Sequence, residues 1–168
     1  MRLPAALVPL LEQVRRANAR HGAPLEFWRM EHGPAIFDGF AALADLLMQS
    51  DLTEDEVPRG YVMLAHLFQW EVNFNVNGWG ALDNISEIDF DALCTFFGEV
   101  GLAGQARVLG LRMAAYRRNP DDMGALIRAG ADVPGDIPGD IERAEYLTQY
   151  FCDHADELLY EHEPEDAP

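Results

Sequence analysis

Ten consecutive residues, Tyr61 to Trp70, leave a helix almost no polar face, since only His66 and Gln69 interrupt an otherwise apolar run. A helix that is apolar all round has to be wrapped by other elements. This stretch therefore sets the architecture: the chain must supply partners for a central buried helix over about residues 58–74. The chemistry then changes abruptly, with Glu71, Asn73, Asn75, Asn77, Gly78, Trp79, Gly80, Asp83 and Asn84 following in quick succession. Asn and Gly accept left-handed backbone and end helices. The reading is a polar turn over 71–84 that leaves the central helix, with a short second helix from Trp79.

The flanking segments supply the wrapping. Leu7, Leu10, Leu11 and Val14 form one stripe of a helix over 4–20, ended by Gly22. Phe27, Trp28 and Met30 lie in a loop, where large apolar side chains tuck underneath. Ile36, Phe37, Phe40, Leu43, Ala44 and Leu47 recur at helical spacing from Pro34, which suits a first helical turn. Thr53 reads as the N-cap of the central helix, with Glu54, Asp55 and Glu56 at its positive end. Further helices are expected over 89–99 with Asp89 as cap, over 103–118, and over a short segment after Asn119-Pro120. A Gly/Pro/Asp-rich loop follows to Gly139. The last helix is expected from about Asp140 to His162, its buried stripe made of Ile141, Ala144, Leu147, Phe151, Ala155 and Leu158, with residues 163–168 as a frayed acidic tail. No segment alternates with a period of two and no repeat is visible. The class is all-α: a single domain over 1–162, a bundle of seven or eight helices.

Charge bounds the function. The 168 residues carry 29 acidic and 12 basic side chains, a net charge of −17, and every basic residue is Arg. Direct nucleic-acid binding needs cations on phosphates, so it is disfavoured, as is an anionic membrane. No apolar stretch reaches the length of a membrane span. Pro4 and Pro9 interrupt the first apolar run, and Arg15 and Arg16 follow soon after, so residues 1–22 do not read as a signal peptide. Two cysteines, Cys94 and Cys152, make no disulfide framework, and a reducing cytoplasm fits.

The acidity is uneven. From Asp132 to the end, twelve acidic residues face one Arg, Arg143, giving −11, while residues 1–131 carry −6. Glu142, Glu145, Asp153, Asp156, Glu157 and Glu161 are expected on the solvent face of the last helix, because unpaired carboxylates are costly to bury. They form a candidate surface for a basic partner, with Glu54, Asp55 and Glu56 as a second patch. An ordinary solvated face is the alternative. One such helix carries about one charge per 5 Å, against one per ~1.7 Å along duplex DNA, so imitation of a duplex would need the second patch or a second copy of the chain.

Other chemistry finds no constellation. Among His21, His32, His66, His154 and His162 no pair has the i, i+4 spacing of a helical zinc site, and Cys152 and His154 point to different faces. Without Lys there is no P-loop. Gly101 and Gly104 follow no strand, so they make no dinucleotide fingerprint. No metal or other cofactor is expected. Glu71 is expected to accept hydrogen bonds from backbone N–H groups or an Asn. Asn73, Asn77, Gly78 and Asn84 are expected to form the turn, and Trp79 to lie in the core.

Glu71-Val72-Asn73, Asn77-Gly78-Trp79 and Asn84, with the later FFGEVGLAGQARVLGLRMAAY and EYLTQYFCDHADELLYEH, carry a resemblance. Over roughly residues 53–162 the chain resembles the domain family of the bacterial DNA-mimic protein numbered nineteen. That family's pattern is an apolar helix followed by Glu-Val-Asn-Asn-Gly-Gly-Phe. Here Phe74, Asn75 and Val76 interrupt the motif, and one glycine is absent. The resemblance implies an all-α fold, often a homodimer, and a non-enzymatic protein whose acidic surface occupies the DNA-binding face of a basic partner such as a transcription regulator. Two alternatives stand beside it: an immunity-type protein that neutralises a nuclease-like toxin, and an enzyme with a pocket at the 71–84 turn.

Overall fold

The computed structural model describes residues 1–19, 22–31, 33–53, 55–137 and 139–161. Among these there is no strand, and the protein is all-α as its periodicity requires. The helices are α1 (Val8–Ala17), α2 (Pro34–Gln49), α3 (Arg59–Asn77), α4 (Glu87–Glu99), α5 (Ala103–Arg118), α6 (Met123–Arg128), α7 (Asp140–Asp153) and α8 (Ala155–Leu158). Short 3-10 turns occupy Ala5–Leu7, Phe27–Arg29 and Gly78–Asp83. The chain forms two compact units, one of residues 1–69 and 144–168, the other of residues 70–143.

The first unit is built on an aromatic cluster. Phe40 of α2 meets Phe27 at 5.0 Å and Phe68 of α3 at 5.0 Å, and Phe68 meets Phe151 of α7 at 5.7 Å. These four rings are buried, so burial and ring-edge contacts act together here. Phe27 and Trp28, expected in a loop, tuck beneath it as a buried 3-10 turn. α1 packs on α2 through Leu11 and Val14. Tyr61, fully buried at the start of α3, donates its hydroxyl to the Leu159 carbonyl at 2.9 Å. Arg2 and Glu161 of this unit also exchange backbone N–H···O bonds, at 3.3 and 2.9 Å.

The second unit packs α4 on α5 and α5 on α6. Its core includes Phe90, Leu93, Phe96, Phe97, Leu109, Met113 and Leu126. Trp70, Phe74 and Trp79 continue it, with Phe74 and Trp79 edge to face at 4.8 Å. Gly101, at φ +84°, reverses the chain after α4, and the Leu102 N–H bonds back to the Phe97 carbonyl at 2.7 Å.

Several boundaries differ from the sequence reading, each for a local reason. The central helix, expected over about 58–74, opens at Arg59 and runs on to Asn77. Asn73 and Asn77 stay helical and bond to each other, Asn77 Nδ2 to Asn73 Oδ1 at 2.7 Å, one turn apart. Gly78, at φ +54°, is where the helix stops, and the segment beyond is a 3-10 turn. Thr53 does not cap α3. Its N–H and hydroxyl both donate to Glu56 at 2.8 Å, making a separate turn before the helix opens at Arg59. Ser86, not Asp89, caps α4, and Asp89 takes the reciprocal position of a capping box. The last helix breaks at Asp153, so the expected single helix from 140 to 162 is α7 plus the short α8. Ile141, expected in the buried stripe, is 74% exposed, and Arg143 takes the buried position instead. The tail 163–168, with His162 and Glu54, lies outside the described residues.

Candidate functional site

Glu71 sits in α3 with its carboxylate out of contact with water. Arg143 of α7 binds it in two places, Nε to Oε1 at 2.5 Å and Nη2 to Oε2 at 3.0 Å. The side chains are 1% and 5% exposed. A fork-to-fork pair of this kind is the guanidinium's preferred way of holding a carboxylate. Arg143 also gives Nη1 to the exposed Asp140 at 2.7 Å, one turn back. Burial pushes the Glu71 carboxyl up and the hydrogen bonds and charge of Arg143 pull it back. Burial works against the charge on Arg143, and Glu71 and Asp140 together more than offset it. The expectation that backbone N–H groups or an Asn hold Glu71 is thus corrected. Its partner is an arginine 72 positions away.

The other motif residues serve the same local architecture. Trp79 is half-buried, with the Arg112 guanidinium stacked over its ring at 4.0 Å. Arg112 Nε in turn donates to the Ala129 carbonyl at 3.2 Å. Asn84 donates its N–H to the Ala81 carbonyl at 3.1 Å and closes the 3-10 turn. The cavity beside this cluster, lined in part by Trp70, Trp79, Arg112 and Arg143, measures about 10 Å³. That is room for roughly one water.

The acidic candidates divide into two groups. Asp156 is bridged by Arg29 Nη2 at 2.6 Å, and Glu161 by Arg2 Nε at 2.7 Å. Arg29 also holds Glu26 at 2.7 Å and donates Nε to the Tyr160 hydroxyl at 3.0 Å, while that hydroxyl donates to Glu26 at 2.7 Å. Glu26, then Tyr160 and Asp156, hold the Arg29 charge firmly. Glu142, Glu145, Asp153, Glu157 and Asp55 are exposed. Among the described residues no guanidinium bridges any of these five. Asp153 accepts from Gln149 at 2.6 Å, a neutral donor. Glu56 is exposed, and the Thr53 N–H, then the Thr53 hydroxyl, lower its pKa below the ordinary value. Glu54 is outside the described residues.

The sequence reading did not anticipate the Glu26–Arg29–Tyr160–Asp156 cluster, nor Arg143 as an anchor. A signal for Arg143 was present: it is the single base in a strongly acidic segment and falls on the apolar stripe one turn before Leu147. Among the described residues no three His, Cys, Asp or Glu side chains gather as metal ligands, and no helix is long and apolar enough to cross a membrane. The DNA-mimic resemblance rests on the residues quoted for it, because no protein-family model, curated protein or solved structure matches this chain.

Proposed function

We propose that this protein acts as an acidic interaction protein that occupies the DNA-binding face of a basic partner. The observation that carries the reading is the exposed set Glu145, Asp153 and Glu157, which no guanidinium bridges among the described residues. Arginines tie down other carboxylates nearby in sequence, Asp156 and Glu161, while these three keep their charge facing water. Such a surface steers a cationic partner and raises its association rate. The cavity beside Trp79 and Arg143, at about 10 Å³, has no room for a substrate at that position.

The spacing limits how the mimicry works. α7 has 14 residues and so spans about 21 Å. Its exposed carboxylates are several-fold sparser than phosphates at one per ~1.7 Å of duplex. The acidic helices therefore serve as one part of a larger negative surface, to which Asp55 and Glu56 contribute or which a homodimer completes.

The test is capture from a lysate at low salt, followed by elution on a salt ramp. The eluate should be rich in basic DNA-binding proteins. Duplex DNA should compete with the captured partner, and its affinity should fall steeply as the screening length shrinks from about 10 Å at 0.1 M to about 3 Å at 1 M salt. The triple variant Glu145→Gln/Asp153→Asn/Glu157→Gln should bind roughly tenfold more weakly. An affinity that is flat across this salt range would overturn the reading. A captured nuclease that loses activity in the complex would favour the immunity-type alternative.

A further inference from the structure

Asp51, Asp55 and Glu56 belong to the segment that lines a groove between α2 and α3. α2 ends at Gln49, where the Ser50 hydroxyl folds back onto the Leu47 carbonyl at 2.8 Å. The chain then turns through Thr53 and Glu56, pinned by two side-chain bonds at 2.8 Å and a backbone bond at 2.9 Å. This brings Leu52 and Val57 over the crevice between the end of α2 and the start of α3. Leu47 and Met48 form one wall, and Val62 and His66 the other. The groove measures about 130 Å³, and Met48 on its lip is 47% exposed. Small-molecule and cofactor sites run to about 300 Å³ and more. This one has the size of a single buried side chain, and Met is the residue that adapts to varied apolar partners.

Among the described residues, the loop that lines one side of the groove carries three exposed acidic residues. Asp51 sits between the lining residues Ser50 and Leu52, Asp55 and Glu56 sit between Thr53 and Val57, and all three are exposed. Arg59, the basic residue of this stretch, has an interaction of its own. A groove lined by Leu47, Met48, Leu52, Val57 and Val62 together with Ser50, Thr53 and His66, with exposed carboxylates on the loop along one side, complements a cationic segment that carries one large aliphatic side chain between arginines or lysines. We infer that the groove between α2 and α3 is an anchor site for such a segment of the basic partner. The aliphatic side chain enters the slot, and its cationic neighbours meet Asp51, Asp55 and Glu56. This rests on the proposed function and adds to it a position and a source of selectivity, since charge alone is a poor discriminator and a filled pocket a good one.

The test uses the full chain with labelled Met, Leu and Val methyl groups and two synthetic peptides. One carries a leucine between pairs of arginines; the other has alanine in its place. The leucine peptide should bind about tenfold more tightly. It should shift the Met48, Leu52 and Val62 methyl signals, which the alanine peptide leaves in place. Val62→Trp should fill the slot and remove the preference. Asp51→Asn/Asp55→Asn, two surface changes that leave the packing alone, should weaken the leucine peptide several-fold at low salt and have little effect at high salt.

Equal, salt-sensitive affinities for both peptides with unmoved groove methyls would overturn the anchor and leave the acidic-surface reading standing. Absence of binding by either peptide at low salt would remove both. A leucine peptide that binds as well without its arginines would overturn the role given to the loop carboxylates. Concentration-dependent dimerisation blocked by Val62→Trp would assign the groove to a second copy of the chain and overturn the proposal.

Discussion

Arg143 grips Glu71 through Nε and Nη2, at 2.5 and 3.0 Å, with both side chains almost wholly out of water. The pair accounts for a buried carboxylate directly after the apolar run 61–70. A carboxylate at position 71 is sustainable because a guanidinium neutralises it and satisfies both its oxygens. The same guanidinium lies 5.3 Å from the ring centre of Phe74, so the pair is packed as well as bonded.

Removing one partner leaves the other charge buried and alone. Arg143→Met should therefore cost about 3–5 kcal/mol in urea unfolding, and the double variant Glu71→Leu/Arg143→Met should recover most of that loss. If the two single losses simply add in the double variant, the side chains do not act as a pair.

Tyr61 gives the protein an alkaline limit. Burial is the main force raising its phenol above the ordinary value of 10.0, with the charge of Tyr160 and Glu26 adding to it. A group whose folded pKa is raised stabilises below its unfolded pKa and loses that contribution as pH rises toward the folded value. Stability should accordingly fall as pH climbs above about 10, where the unfolded chain releases the proton and the folded chain cannot. Tyr61→Phe should flatten this slope in pH-dependent urea titrations. It should also cost about 1 kcal/mol at neutral pH, because the Leu159 carbonyl loses its donor.

Both thiols should be slow. Burial pushes Cys94 and Cys152 up to about 11, aided by Asp91 and Asp153 respectively. The reactive species is the thiolate, so at pH 8 its population is on the order of a hundredfold below that of a free cysteine. Thiol titration of the folded protein with an aromatic disulfide should be sluggish, and two equivalents should react promptly in denaturant. A fast equivalent in the folded state would contradict the burial of that cysteine.

Two glycines should respond to alanine with opposite signs. A Cβ at Gly60 would clash with the Leu158 carbonyl, so Gly60→Ala must push α3 off the segment it packs against and should cost roughly 2–3 kcal/mol. At Gly110, inside α5, a Cβ meets nothing within 4 Å. Gly110→Ala should stabilise by about 0.5–1 kcal/mol, the ordinary helix preference for alanine. Denaturant midpoints of the two variants give the comparison directly.

Local pattern was enough to determine the class and most of the helices. The apolar run 61–70 demanded a buried helix, the stripe of α2 followed from 3.6-residue periodicity, α4 and α5 were expected over 89–99 and 103–118, and the net charge of −17 requires no coordinates. Such features depend on neighbours within a turn or two of the chain. Tertiary structure alone decided where polar residues found partners. Asn73 and Asn77 read as turn formers, yet α3 runs through Asn73 and ends only at Asn77, because packing and the distant Arg143 outweigh a propensity of a few tenths of a kcal/mol per residue. Ile141 read as core and faces water, while Arg143, in sequence only the one base of an acidic segment, is buried. Which carboxylates remain uncompensated was likewise invisible, since Arg29 reaches Asp156 across 127 positions and Arg2 reaches Glu161 across 159. Periodicity reports which side of a helix is dry; only the assembled chain brings a charge to its counter-charge, because the energy of that meeting depends on a distance in space that sequence separation does not encode.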